Sequence, residues 1–205
     1  MIKRHNQKGF SLLEVVVAIF VIMVGLVAGL VLIYSSTKAA GSSKSELLAS
    51  NLAREVIEVV RNERDSNWLE IDSGVDVEWD AGLQGAGNIY EAILHFNDTG
   101  DMGWTINYGN YTLASPETIV YYNDPTGAKV YNQYIGIPSG IATSFRRLIS
   151  TNPICYDGVN ETIVVSGLDC GLNKKIGLQI LVTVQWDEQG NTHIYNHEDR
   201  LYNWK

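Results

Sequence analysis

The sequence predicts an α+β fold in which a long N-terminal helix, transmembrane in its first half and amphipathic in its second, packs against a C-terminal antiparallel β-sheet. Three observations support this prediction. An uninterrupted apolar run extends from Val15 to Tyr34, an apolar period of 3.6 residues follows it, and alternation with a period of two begins near Val75. A helix followed by a series of short strands is typical of an α+β domain.

The apolar run from Val15 to Tyr34 is long enough to cross a bilayer, which needs roughly 20 apolar residues. One carboxylate, Glu14, stands directly before this run. A carboxylate costs about 2.5 to 3.5 kcal/mol at the bilayer centre, so we expect a specific partner for it. Cleavage between Gly9 and Phe10 would create a positive α-amine four residues before Glu14, and such an amine is the natural partner.

The segment from Gly9 to Glu14 reads Gly-Phe-Ser-Leu-Leu-Glu and follows a short basic leader. Together with the apolar run, it resembles the processing site of type IV prepilins and of type II secretion pseudopilins. The resemblance implies that a prepilin peptidase cleaves after Gly9, that Phe10 is then N-methylated, and that the helix remains in the mature protein. It also implies that other pilin subunits and an inner-membrane assembly platform are partners. We expect no cofactor.

Two simpler interpretations of the N-terminus compete with this one. An ordinary secretory signal has an apolar core of 7 to 15 residues, shorter than the run seen here, although residues 36–39 could imitate its cleavage site. A plain single-span anchor explains the hydrophobicity but gives no role to Glu14 or to the Gly9–Phe10 junction.

The expected segments are a basic leader at 1–9, a transmembrane or filament-core helix at 10–35, an amphipathic helix at 36–66 and a β-rich domain at 67–205. Basic residues precede the span, and basic flanks stay in the cytoplasm, so the domain is expected outside the inner membrane and finally at the cell surface. From residue 66 onward there are 7 basic and 17 acidic residues. This acidity argues against nucleic acid as the main ligand.

The second half of the predicted helix has an apolar stripe and a charged opposite face. The stripe comprises Leu48, Leu52, Val56, Val59 and Val60, with Leu47 and Ile57 beside them. In the first half, Gly25 and Gly29 form a small-xxx-small pair that can mark a close helix–helix contact. Glycines are also simply frequent in membrane helices, and paired glycines lower helix propensity, so these interpretations remain open.

The predicted strands are short runs of β-branched and aromatic residues separated by turn residues. The hairpin joining 176–186 to 192–201 through 187–191 has the strongest turn chemistry. The remaining candidate strands lie at 75–79, 89–96, 104–108, 118–122, 129–135, 145–149 and 162–165.

Cys155 and Cys170 are the only two cysteines in the sequence. In an oxidising compartment two cysteines in a loop-rich region indicate one disulfide, which would contribute about 3 kcal/mol on the chain-entropy account. Two free thiols are the alternative. Zinc is not expected, because there is no C-x-x-C motif and no histidine lies nearby.

Catalytic motifs are absent from the sequence, and we expect no enzyme and no metal site. His193 and His197 lie four residues apart on one predicted strand, roughly 13 Å, which is too far for one ion. The favoured function is a structural subunit of a type IV pilus or pseudopilus. The C-terminal segment of the chain, 182–205, is similar to the tail of minor pilins and the type II secretion I-subunit group. This similarity favours a priming or tip role. A tip subunit that binds a surface or DNA and a membrane-tethered enzyme are the alternatives.

Overall fold

The computed structural model describes residues 9, 11–85, 89–97, 103–123, 130–165 and 169–203. Within these residues one long helix, α1 (Leu12–Asp72), precedes eight strands that all belong to one antiparallel sheet. The predicted α+β class is therefore confirmed. The strands are β1 (Glu91–Asn97), β2 (Gly103–Tyr108), β3 (Ile119–Asn123), β4 (Val130–Asn132), β5 (Ile141–Tyr156), β6 (Glu161–Ile163), β7 (Lys174–Glu188) and β8 (Asn191–Tyr202).

The chain divides into two compact units, an N-terminal unit (Met1–Ser45) and a C-terminal unit (Glu46–Lys205). Helix α1 contributes residues to both units and continues past residue 66, where the sequence analysis ended it. It stops where the Val75 amide donates to the Glu70 carbonyl and Gly74 takes a φ of +89°. A left-handed glycine after the last helical turn is a common helix terminator, because it lets the chain return to cap free carbonyls.

The centre of the sheet is a ladder of three long strands in the order β5–β7–β8. The other edge of β5 pairs with three shorter strands, which follow one another along it in the order β3, β1 and β6. Strand β3 also pairs with β4, and strand β1 also pairs with β2. The β7–β8 hairpin is confirmed, and it reverses through Gln189 and Gly190, whose φ angles are +53° and +81°. Two positive φ angles in a two-residue loop match the twist of antiparallel strands.

The core of the C-terminal unit lies between residues 49–68 of α1 and the inward face of the sheet. Alternate residues of β7 point to this face, as a half-buried strand requires. The helix supplies Ala49, Leu52, Ala53, Val56, Ile57, Val60 and Trp68, and the central strands supply Phe145, Ile149, Leu178, Ile180, Val182, Val184, Trp186 and Leu201.

Besides the helix end, two details of the sequence prediction differ from the structure. Residues 75–79 alternate in polarity but form no strand. At the end of this segment the Asn67 side chain donates hydrogen bonds to the carbonyls of Trp79 and Ala81, which ties the chain to α1. Leu47, which was placed beside the apolar stripe, is 63% exposed. The buried alanines Ala49 and Ala53 lie on the opposite side of the helix from Leu47.

Candidate assembly site

In the sequence, the predicted processing residues Gly9 and Phe10 come just before α1. Gly9 is exposed and not part of a regular element, whereas Phe10 lies outside the described residues. The Ser11 carbonyl accepts the amides of Glu14 and Val15 at 3.0 and 3.2 Å, which closes the first turn. Glu14 lies in that turn and is exposed. A carboxylate there is favoured by the positive end of the helix dipole.

The apolar part of α1 has no covering partner within the chain as described. Each large apolar side chain that the structure records as exposed between Leu12 and Tyr34 has at least 47% of its surface accessible. This stretch would be roughly 34 Å long at 1.5 Å per residue, and α1 is long and apolar enough to cross a membrane on grounds of length and composition. So much exposed apolar surface must be covered by lipid or by protein in a stable state.

Gly25 and Gly29 lie on one side of this apolar stretch, one helical turn apart. A methyl group added at either glycine would meet no neighbouring heavy atom within 4 Å. Their predicted role in helix packing therefore stays a prediction about contacts between chains.

Within the C-terminal unit, one buried cation joins α1 to the sheet. Arg147 is fully buried on β5, and its Nη1 donates to Glu55 Oε2 at 2.7 Å and to the Leu52 carbonyl at 3.2 Å. Its Nε donates to Gln133 Oε1 at 2.9 Å, and its Nη2 donates to the Leu94 carbonyl at 3.4 Å. A single guanidinium thus binds the helix and β1 and reaches the segment that follows β4.

Gln133 extends this polar cluster beneath the sheet edge. It is fully buried, and its Nε2 donates to the carbonyls of Arg147 and Thr118 at 2.7 and 3.0 Å, while its Oε1 also accepts the Leu94 amide at 3.2 Å. Buried polar groups must be paired to avoid a desolvation cost of about 1 to 3 kcal/mol each. The cluster satisfies backbone groups where short strands leave the ladder incomplete.

Burial lowers the pKa of Arg147 from its ordinary value, and the neighbouring Glu55 carboxylate opposes this shift. A guanidinium remains protonated in proteins, so the cluster holds a positive charge in the core. Sequence reasoning missed this residue. A usable signal existed, because Arg147 occupies an inward position between Phe145 and Ile149 in the alternation of β5. A charge at such a position requires a partner from the element packed above it.

Two further contacts join α1 to β8. Arg61 donates to Asp199 Oδ2 through Nη2 at 2.9 Å and pairs with Glu58 at 2.8 Å. Ser50 donates its hydroxyl to the Tyr195 hydroxyl at 3.3 Å. Both contacts lie at the rim of the core, where exposed ion pairs contribute about 0 to 1 kcal/mol, so they orient the helix more than they stabilise it.

Cys155 and Cys170 form the expected disulfide, with 5.4 Å between their Cα atoms. Cys155 lies in β5, opposite Thr162 of β6. The bridge ties β5 to the segment that precedes β7.

The described part of the chain contains no group of three or more His, Cys, Asp or Glu side chains arranged to hold a metal ion. The two histidines of β8 have aromatic neighbours instead. His193 stacks on Trp186 with a ring separation of 5.3 Å, and His197 stacks on Tyr195 at 6.5 Å. These side chains act as packing groups at the sheet surface.

Comparison with known protein families gives one finding. Residues 4–30 match the prokaryotic N-terminal methylation motif. No curated protein and no solved structure matches the chain. The matched range contains Gly9, Phe10, Glu14, Gly25 and Gly29, and the motif together with the long apolar helix is consistent with the type IV pilin and pseudopilin family.

Proposed function

We propose that the chain is a structural subunit of a type IV pilus or pseudopilus, cleaved by prepilin peptidase between Gly9 and Phe10 and methylated at Phe10. The methylation motif at 4–30 supports a pilin-like structural subunit. The observation that carries the proposal furthest is that this motif leads into an apolar helix whose surface is exposed in the isolated chain. Lipid covers that surface before assembly, and neighbouring subunits cover it in the filament.

The proposed topology has the basic leader in the cytoplasm, one span across the inner membrane and the C-terminal unit outside it. Lys3, Arg4 and Lys8 on the leader support this orientation, because positive flanks are retained in the cytoplasm. The disulfide is consistent with an oxidising compartment. After cleavage the subunit leaves the membrane for a surface filament with the help of an inner-membrane assembly platform.

Within that family we propose a minor role, at the priming or tip position. The size of the globular part, residues 46–205, supports this role. The β7–β8 hairpin at its C-terminal edge also supports it. Quantitative mass spectrometry of sheared filaments tests this role. A minor subunit is present at a small fraction of the most abundant subunit, and a copy number equal to that of the shaft subunit would contradict the minor role without affecting the first proposal.

The decisive experiment is intact-mass analysis of protein extracted from membranes of a strain that carries its own prepilin peptidase. The expected mass is that of a chain beginning at Phe10 with one added methyl group. Gly9→Val should block cleavage and leave the full precursor, whereas the matched variant Gly25→Val, within α1 and away from the junction, should be cleaved normally. A wild-type chain beginning at Met1, or near Ala39, would overturn the proposal.

A further inference from the structure

A groove runs between α1 and strand β2 at the edge of the sheet in the C-terminal unit. Its volume is about 450 Å³, and the apolar side chains of Val59 and Trp104 contribute to its lining. The other lining residues are Glu55, Glu58, Asn62, Glu63 and Gly103. The groove is therefore both apolar and acidic, unlike an ordinary solvated helix face.

The three glutamates of the groove are not equally neutralised. Glu55 binds Arg147, and Glu58 pairs with Arg61 through an exposed contact between residues one turn apart. Glu63 has no ion pair among the residues that the structure describes. The groove thus retains negative charge, and the exposed Glu58–Arg61 pair, worth a few tenths of a kcal/mol, can admit another cation.

The N-terminal unit carries a helical segment whose pattern complements this groove. Lys38 and Lys44 are exposed, and neither has an ion pair in the described part of the chain. Between them lie only small residues, Ala39, Ala40, Gly41, Ser42 and Ser43. At 100° per residue, Gly41 falls midway between the two lysines, about 60° from each. The segment therefore presents a narrow central strip with one positive charge on each side.

The charges of the two surfaces have matching positions. Lys38 and Lys44 are separated by about 9 Å along a helix axis, and Glu58 and Glu63 by about 7.5 Å. Val59 and Asn62 form a strip along α1. Each of the two glutamates lies about 70° around the helix axis from the centre of this strip, one on each side. When two parallel helices face each other with these strips in contact, Lys38 lies beside Glu58 and Lys44 beside Glu63.

We propose that this groove binds the helical segment Lys38–Lys44 of a second copy of the chain. The proposal rests on the pilin-like function proposed above and not on the minor role, because a contact between two copies requires the chain to repeat in the assembly. Each copy offers one groove and one segment, at different places on its surface, so the contact is head-to-tail and generates an open assembly instead of a closed dimer. Because Gly41 has no side chain, the helix backbone at this position can approach Val59 and Trp104 closely.

Site-directed disulfide cross-linking in membranes tests the geometry. Two full-length copies with different tags are coexpressed, one carrying Lys44→Cys and the other Glu63→Cys, and the membranes are oxidised. A cross-linked species containing both tags is expected. The matched control replaces Glu63→Cys by Arg54→Cys, which is exposed on α1 outside the groove, and should yield about tenfold less product. Equal yields, or stronger linkage of Lys44→Cys to Glu58→Cys, would overturn the parallel docking.

Charge reversal tests the chemistry in the same full-length proteins. Lys38→Glu with Lys44→Glu in both tagged copies should lower their co-purification about tenfold, because in every head-to-tail contact two attractive pairs become repulsive. Adding Glu58→Lys with Glu63→Lys to both copies should restore it, and a folding defect would not be rescued in this way. If co-purification instead depends on a divalent cation and ignores the lysines, the groove is a cation site and the proposal fails.

The same samples separate this proposal from the proposed function. Correct cleavage at Gly9 and normal filament yield without groove cross-linking would refute only the docking. Failure of cleavage would refute the proposed function itself.

Discussion

The Arg147 guanidinium, fully buried on β5, lies 2.7 Å from the Glu55 carboxylate on α1, across 92 residues of sequence. Glu55 keeps 30% of its side chain accessible, so the pair connects the interior of the unit with its surface. Removal of one partner from a buried pair costs about 3 to 5 kcal/mol, although replacement of both by apolar groups can be nearly neutral.

We therefore expect Arg147→Met to lower the free energy of unfolding by about 3 kcal/mol, because it removes the cation that pairs with Glu55 and the donor to the Leu52 and Leu94 carbonyls. Glu55→Met should cost less, about 1 to 2 kcal/mol, since the Leu52 and Leu94 carbonyls still accept from the guanidinium. The double variant should cost less than the sum of the two. Urea titration of the full chain in detergent, followed by tryptophan fluorescence, measures all three. Strict additivity would show that the pair is not coupled.

The second prediction concerns the role of Glu14 in assembly. After cleavage we expect its carboxylate to pair with the Phe10 amine of a neighbouring subunit, because methylation keeps the charge of that amine. Glu14→Val should insert in the membrane and be cleaved normally, yet incorporate poorly into filaments, since an unpaired buried charge costs roughly 3 to 5 kcal/mol. A shear-and-pellet assay measures incorporation. Wild-type yield would mean that Glu14 only reaches toward the lipid headgroups.

The disulfide gives a third prediction. Peptide mapping without reductant should recover Cys155 and Cys170 as one linked pair. Cys155→Ser combined with Cys170→Ser should lower the free energy of unfolding by about 3 kcal/mol, the value for a loop of this length. Alkylation of both thiols in freshly isolated wild-type material would refute the bridge.

The β7–β8 turn gives a fourth. Gly190 has a φ of +81° and open space around it, so Gly190→Val should destabilise the hairpin by roughly 1 to 2 kcal/mol through backbone strain alone. Gln189→Asn should stabilise it by a few tenths of a kcal/mol, because asparagine tolerates a positive φ better than glutamine. Thermal unfolding of the two variants beside the wild type decides the sign. Equal midpoints for all three would show that the turn geometry is not strained.

The sequence by itself determined the features that are local along the chain. The N-terminal motif depends on Gly9, Phe10 and Glu14 at fixed spacing, and the apolar period set the helix. The β7–β8 hairpin followed from alternation on both sides of a turn that needs only neighbouring residues. These signals are readable because each depends on contacts within a few positions.

Only the tertiary structure decided which residues meet over long separations. The pairing of Arg147 with Glu55 and the insertion of Gln133 under the sheet edge depend on how α1 lies across β5. The alternating segment 75–79 did not become a strand, and at its end Asn67 of α1 binds the carbonyls of Trp79 and Ala81. A residue's partner in three dimensions is set by packing, and a local pattern shows what a segment can bury but not what will cover it.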